Sequence, residues 1–236
     1  MNYDAAMFDT PTASLPRFFC VYNDKALADF SPGIPVIPWQ NAGECDEPLK
    51  PVQPVTGPCL IDREEWEWNR DIHASYWLTL ARNAGSERLI AYDPFGWDPA
   101  QLRTTGWWLR MKGWLGFGHA AAHMASRRAL VPYLTDYAAW ATDVYPPNGY
   151  DWAGYSEWAL LKINAHVRVC VENRRIPVVL LHLDRDLTMQ ARLVKLADKR
   201  IRWGMWSDPA TWEDVAVHAQ AVRAFMGLVR EGQVTT

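Results

Sequence analysis

Short apolar runs alternate along this chain with longer segments that have helical spacing. The apolar runs are continuous, which is typical of strands covered on both faces. They predict seven or so strands: at 17–22, 34–39, 58–62, 88–96 (a strand and then a turn), within 131–147 (one or two strands), 176–184 and 201–206. Helical spacing marks 71–85, 98–130, 152–175, 188–200 and 211–232. This order predicts a parallel sheet that is covered by helices.

A closed barrel suits this order better than an open sheet does. An open dinucleotide-binding sheet has a glycine-rich turn after its first strand. Here the first strand runs into NDKALADFSPG, which lacks such a turn. We therefore predict a single domain over 1–236 with an α/β fold, a (β/α) TIM-type barrel that is compact or slightly irregular. The polar, proline-rich segment at about 40–57 predicts a long loop.

Acidic residues follow the third apolar run directly, in GPCLIDREEWEWN at 57–69. Strand alternation predicts that Leu60, Asp62 and Glu64 share one face, at the end of the strand where barrel enzymes place their chemistry. Two neighbouring acids raise each other's pKa, so one of them is expected to hold a proton near neutral pH, as a general acid does. The alternative is a solvated strand end, with Glu64 and Glu65 beginning a helix.

Two acids side by side on one strand suit one class of glycoside hydrolysis. Most glycosidases hold the sugar between two carboxylates that flank the scissile bond. In the substrate-assisted exception, the 2-acetamido group of the sugar attacks its own anomeric carbon. One acid then protonates the leaving oxygen, and the neighbouring acid polarises the amide.

The segment CLIDREEW resembles a strand of the hyaluronidase family of glycoside hydrolases, in which an apolar run is followed by Asp-x-Glu and Trp. HVRVCVENRRIPVVLLHLD, LADKRIRWGMWSDP and DVYPP are similar to later parts of that family's barrel. The resemblance implies that Glu64 is the proton donor and Asp62 its helper. It also implies that Tyr145 holds the acetamido group and that Trp206 or Trp203 is the platform for the sugar ring.

Other strand-end residues are candidates for the same cleft. Tyr92 and Asp93 end the strand in AYDPFGWDP, where an Asx turn is the alternative role for Asp93. His182 lies late in a buried strand and is a further candidate for the mouth of the barrel. Several converging acids are also what an oxygen-ligand metal site would show, so a metal-dependent hydrolase stays open. We predict no cofactor and no resident metal.

Composition narrows the partners. The formal charge is −3 and the chain has no long Lys/Arg run, which argues against nucleic-acid binding. No apolar stretch approaches about 18 residues, so no membrane span is expected. The N-terminus has acids and prolines where a signal peptide would be basic and then apolar, so we expect a cytoplasmic protein or part of an assembled particle.

Tryptophan is the outlier of the composition, with 14 residues. Its flat face stacks on sugar rings and on protein surfaces alike. A large core or a protein interface is the first explanation of this excess, and it is the resemblance that implies a polysaccharide or another glycan as the partner. The alternative is a non-catalytic binding or structural module of a larger assembly, such as a virion or a cell-surface complex, docked through the Trp-rich segment 106–118.

Overall fold

A computed structural model describes residues 15–22, 33–44, 48–64, 70–103, 119–146, 149–206 and 215–231. Seven parallel strands follow one another around a closed barrel, and the last pairs with the first. They are β1 (Phe18–Tyr22), β2 (Val36–Glu44), β3 (Cys59–Glu64), β4 (Leu89–Tyr92), β5 (Ala139–Asp143), β6 (Ile176–His182) and β7 (Arg202–Trp206). The predicted α/β barrel is thereby confirmed. The described strands do not reach the eight of a TIM barrel.

Helices lie between the later strands. They are α1 (Arg70–Ala84), α2 (Pro99–Leu102), α3 (His119–Arg128), α4 (Trp152–Glu172), α5 (Leu187–Leu196) and α6 (Val215–Glu231), with a 3₁₀ turn at Val131–Tyr133. Aspartates cap three of them through their side chains, since Asp98, Asp151 and Asp186 accept from backbone N–H groups of the first turn. Within the described residues, no helix is both long and apolar enough to cross a membrane.

One boundary differs from the sequence interpretation, and two further segments are now defined. Strand β2 continues to Glu44, so the predicted loop at 40–57 begins as strand, with a register shift between Asn41 and Glu44. The segment 131–147 holds one strand, preceded by the 3₁₀ turn. Of the region 98–130, the described parts include two helices, and the Trp-rich segment 106–118 lies outside the described residues.

The interior of the barrel is filled by alternate strand residues. Its buried cluster consists of Leu15, Phe19, Val21, Ile37, Leu60, Ile90, Ala139, Ala141, Val178 and Leu180. The intervening residues point outward into two further apolar clusters, which the helices cover. Alternation on β3 follows the prediction, because Leu60 is in the interior cluster and Ile61 is in an outer one.

Gly204 of β7 faces this interior at a point where a side chain would collide. A β-carbon built there would lie 2.3 Å from Cδ2 of Leu180 and 3.0 Å from Cε2 of Phe19. The absence of a side chain therefore leaves room for the side chains of Leu180 and Phe19, which come from the strands on either side of β7.

Substitution of Gly204 by alanine should overpack the barrel interior. We expect Gly204→Ala to lower the free energy of unfolding by about 1–3 kcal/mol, because Leu180 and Phe19 must shift. The matched control is Gly227→Ala in α6, where a β-carbon meets nothing within 4 Å and helix propensity favours alanine by about 0.5–1 kcal/mol. Urea unfolding of both variants measures the difference, and equal stabilities would contradict this packing account.

His166 of α4 ties the helix layer to the barrel in a fully buried position. Its Nδ1 accepts from the indole N–H of Trp97 at 3.3 Å, and its Nε2 lies 2.8 Å from the carbonyl oxygen of Trp140. The Trp97 contact requires a lone pair on Nδ1, so the ring is neutral with its proton on Nε2. Burial lowers the pKa of His166 to about 4.

This lowered pKa predicts acid sensitivity. The folded state favours neutral His166, so the stabilisation is present above the ordinary pKa of 6.5 and is lost as pH falls toward 4. The loss should be on the order of 3 kcal/mol. His166→Gln removes the titrating group, and urea unfolding from pH 7 to pH 4 should show a shallower decline for that variant. Parallel declines in the two proteins would assign the acid sensitivity to other groups.

Candidate active site

An open cavity lies at the carboxyl-terminal mouth of the barrel. Every strand contributes to it, either directly or through the residues that follow. Its apolar floor consists of Val21, Leu60, Leu180 and Leu181, and its remaining lining is aromatic or acidic: Trp39, Asp62, Tyr92, Asp143, Tyr145 and Trp206. The mouth is therefore an amphipathic cavity at the end of the barrel where strand-end side chains converge.

Asp62 lies in this cavity on the inward face of β3. Asp62 is buried, and the indole N–H of Trp39 donates to its Oδ2 at 3.1 Å. Trp39 can reach it because it stands on the neighbouring strand β2, where it pairs in register with Leu60. Strand pairing thus places one carboxylate and the donor that orients it side by side.

The structure describes the side chain of the next residue of β3, Arg63, but not that of Glu64. Arg63 points outward, where its Nη1 donates to the carbonyl oxygen of Ala42 at 3.2 Å and its guanidinium lies over the ring of Tyr76. Glu64 is the last residue of the strand and its backbone pairs in register with Glu44. The side chain of Glu64 lies outside the described residues, as does Glu65.

Three rings form one wall of the mouth. The ring of His182 stands between those of Tyr145 and Trp206, with centroid separations of 5.2 and 4.6 Å. Buried Gln190 of α5 holds the end of β6, because its side-chain amide accepts from the backbone N–H of His182 and donates to its carbonyl oxygen, both at 2.8 Å. The predicted candidates Tyr145 and Trp206 therefore lie in one cavity with Asp62, and His182 packs between them.

Trp203 is placed elsewhere. It is 2% exposed and belongs to an outer cluster between the sheet and the helices. Strand alternation explains this, since Trp206 and Gly204 face inward and Trp203 therefore faces outward. Trp203 offers no face to a ligand, which leaves Trp206 as the platform candidate.

A buried lysine joins the two other acids of the mouth. Lys162 of α4 has a side chain that is 7% exposed, and its Nζ lies 2.5 Å from Oδ1 of Asp143 and 3.8 Å from Oδ2 of Asp93. Thr142 donates to Oδ1 of Asp93 at 2.8 Å. Asp93 thus turns its carboxylate toward this cluster, and the alternative of an Asx turn does not describe its side chain.

Charges in the cluster shift one another. Burial alone would lower the pKa of Lys162, but Asp93 and Asp143 outweigh it and hold that pKa above its ordinary value. Burial raises the pKa of Asp93, and Lys162 opposes the rise. Burial also raises the pKa values of Tyr92 and Tyr145, and the neighbouring carboxylates add to both shifts. The lysine therefore stays charged, and both phenols stay protonated near neutral pH.

Sequence reasoning did not single out Lys162 or Trp39. The signal for Lys162 was its spacing, because it lies on the same buried stripe of α4 as Tyr155, Ala159, His166 and Cys170. A lysine on an apolar helix face is costly unless it is paired, which points to buried acids nearby. Trp39 ends the second predicted strand, but its role depends on which strand pairs with it.

The described residues give no geometric support for a metal site. Among the described residues, no three His, Cys, Asp or Glu side chains are grouped so that they could hold a metal ion. His123 has a structural contact, since its Nε2 accepts from the backbone N–H of Asp98 at 3.2 Å.

Removal of the lysine should destabilise the mouth. Lys162→Met leaves Asp143 and Asp93 without their cation, and breaking such a buried pair costs about 3–5 kcal/mol. Without that cation the folded-state pKa of Asp93 rises further, so the variant keeps most of its stability at low pH and loses it as pH rises. The loss in free energy of unfolding, measured in urea, should therefore be larger at pH 8 than at pH 4.

The double variant Lys162→Met/Asp93→Asn is the control for that experiment. It should recover part of the stability at pH 8, because one of the two stranded charges is gone. A loss that is the same at both pH values, with no recovery in the double variant, would show that lost packing and not charge is the cause.

Comparison of the chain with protein-family models, with curated proteins and with solved structures finds no match. The resemblance to the hyaluronidase family therefore depends on the residues quoted from the sequence. What the site can do is argued from its own geometry.

Proposed function

We propose that this protein is a glycoside hydrolase that cleaves a polymer of 2-acetamido sugars by a substrate-assisted mechanism. The observation that carries the proposal is the position of Asp62, whose oriented carboxylate lines an aromatic cavity at the barrel mouth. Strand-end carboxylates at that mouth are the usual location of chemistry in barrel enzymes. Aromatic side chains beside them suit a sugar ring, which has an apolar face.

In the proposed mechanism, Asp62 acts on the acetamido group. Its carboxylate accepts from the amide N–H, so the amide oxygen becomes more nucleophilic and attacks the anomeric carbon of the same sugar. The bond to the leaving oxygen breaks as that oxygen takes a proton from Glu64. A water molecule then gives its proton to Glu64 and its oxygen to the anomeric carbon, which opens the cyclic intermediate and restores the acetamido group.

The role of Glu64 in this scheme comes from the sequence. It lies two residues after Asp62 on the same strand, in the Asp-x-Glu order that the resemblance assigns to helper and proton donor. Side-chain alternation along a strand favours one face for both residues.

The aromatic wall supports a binding role for the remaining candidates. Tyr145 stays protonated, so its hydroxyl can donate to the acetamido group or to a sugar hydroxyl. Trp206 contacts His182 edge to face and lines the cavity, so we assign the sugar platform to it. Tyr92 lines the same cavity, and we place Asp93 in support, since it is held by Lys162 and Thr142.

Two substitutions on β3 test the division of labour. On a polymeric substrate, Asp62→Asn and Glu64→Gln should each lower kcat/KM by at least about 100-fold. On an aryl glycoside of N-acetylglucosamine with a dinitrophenyl leaving group, Glu64→Gln should keep most of its kcat/KM, because that leaving group departs without a proton, while kcat falls because the water step still lacks its base. Asp62→Asn should be impaired on both, because the acetamido attack is needed in either case.

The controls separate chemistry from folding. Glu87→Gln, an exposed acid that precedes β4 at the opposite end of the barrel, should leave both activities unchanged, and circular dichroism checks that each variant folds. A Glu64→Gln variant with full activity on the polymer would remove Glu64 from the mechanism. No turnover of any 2-acetamido polymer by the unsubstituted protein, together with stable multimers in solution, would favour the binding or structural module.

A further inference from the structure

We infer that the polymer cleaved at this site is an uncharged chain of N-acetylhexosamines, and not one in which uronic acids alternate with the amino sugar. The inference rests on the proposed function and narrows its substrate class. It is argued from the charge of the cavity, from the rim beside it and from the distribution of charge along the chain.

The cavity itself is acidic. Asp62 and Asp143 are among its ten described lining residues, and none of these ten is Lys or Arg. A third carboxylate, that of Asp93, lies behind them and accepts from Thr142. A substrate carboxylate placed here would meet charges of its own sign in a partly desolvated site, where repulsion is stronger than in water.

The buried lysine does not make the charge of the cavity positive. Lys162 is shared by two carboxylates, at 2.5 Å from Asp143 and 3.8 Å from Asp93, so one positive charge faces two negative charges. Arg127 also acts on Asp93 from α3, and it lowers the pKa of that carboxyl. The cations near these acids therefore serve the protein's own carboxylates, and none of them lines the cavity.

The rim of the cavity beside β6 is also acidic. The turn after β6 reads Leu183-Asp184-Arg185-Asp186, so its one cation stands between two acids. Arg185 lies 6.0 Å from the centroid of the Tyr145 ring. Asp184 has a side chain that is 31% exposed, and its Oδ2 lies 3.6 Å from Nδ1 of His182. The rim thus presents an accessible acid next to the aromatic wall.

Charge along the sequence is biased in the same direction. The described turns that follow β4, β5 and β6, at 93–98, 144–146, 149–151 and 183–186, contain five acidic residues and one basic residue. The whole chain has 27 acidic and 24 basic residues. Acids therefore predominate in these turns at the carboxyl-terminal end of the barrel, and their field opposes an anionic ligand.

An uncharged amino sugar needs none of the missing cations. Trp39, Tyr145 and Trp206 offer apolar and ring surfaces for the sugar faces. The carboxylates of the site can accept from amide N–H and hydroxyl groups, which such a chain has at every residue. Exclusion by like charge is a general means of discriminating between ligands of similar shape.

Binding of two oligosaccharides of equal length tests the inference. One is a β-linked N-acetylglucosamine oligomer, and the other alternates N-acetylglucosamine with glucuronic acid. At low ionic strength, isothermal titration calorimetry with the full chain should show at least about tenfold tighter binding of the neutral oligomer. The preference should shrink as salt is raised, because salt screens charges at the exposed rim. Equal or tighter binding of the anionic oligomer would overturn the inference.

Two substitutions with the same change in charge sharpen the test. Asp184→Lys should narrow the preference by strengthening the binding of the anionic oligomer severalfold. Glu87→Lys, which places the same change at the opposite end of the barrel, should leave the preference as it is. If both variants behave alike, net charge and not the mouth sets the preference, and the inference fails.

Cleavage of the same two oligomers separates this inference from the proposed function. Preferred binding of the neutral oligomer without turnover supports the inference on ligand class and contradicts hydrolysis. Turnover that is equal for the two, or faster for the anionic oligomer, supports hydrolysis and overturns the inference. If neither oligomer binds, both the inference and the proposed function are contradicted.

Discussion

Closure of the parallel sheet, by the pairing of β1 with β7, is the constraint from which the rest of the structure follows. A closed barrel has one interior, so the strand period of two divides every strand into side chains that fill it and side chains that meet the helices. Near the middle, apolar residues such as Leu60 and Leu180 fill the interior. Gly204 keeps that filling possible, because it leaves room for the side chains of Leu180 and Phe19.

Polar side chains replace the apolar ones where the strands end. Each of the three carboxylates described there has a specific donor or cation: Trp39 for Asp62, Lys162 for Asp143, and Thr142 for Asp93. These contacts offset the cost of desolvating charge and also set the direction of each carboxylate. The interactions that let the folded protein accommodate these carboxylates also hold them in fixed positions for a ligand. A rigid barrel supports chemistry in this way.

The proposed chemistry and the inferred substrate charge depend on the same property of this mouth. A site that uses carboxylates to activate an acetamido group needs negative charge in a place from which most water is excluded. Such an environment discriminates against anionic sugars unless cations are added to the lining. Here the cations beside the acids pair with them, so the arrangement that favours substrate assistance also favours an uncharged chain.

Much of the fold was predictable from local patterns. Continuous apolar runs indicated the strands, and the alternation on β3 correctly set Asp62 on the face of Leu60 and Ile61 on the other. The long loop at 40–57 was predicted too early in the chain. Its polar residues hid the continuation of β2 to Glu44, because pairing with β3 outweighs the weak strand propensity of Gln40 and Asn41.

By itself, the sequence determined the order of strands and helices and the run of acids at the end of β3, because these depend on residues that are near one another in the chain. Only the tertiary structure decided which distant residues join Asp62. It brought Trp39 beside the carboxylate, selected Trp206 over Trp203 for the mouth and inserted Lys162 between two acids. These choices depend on strand pairing, barrel closure and helix packing, which connect residues far apart in the chain and leave only weak signals in any local pattern.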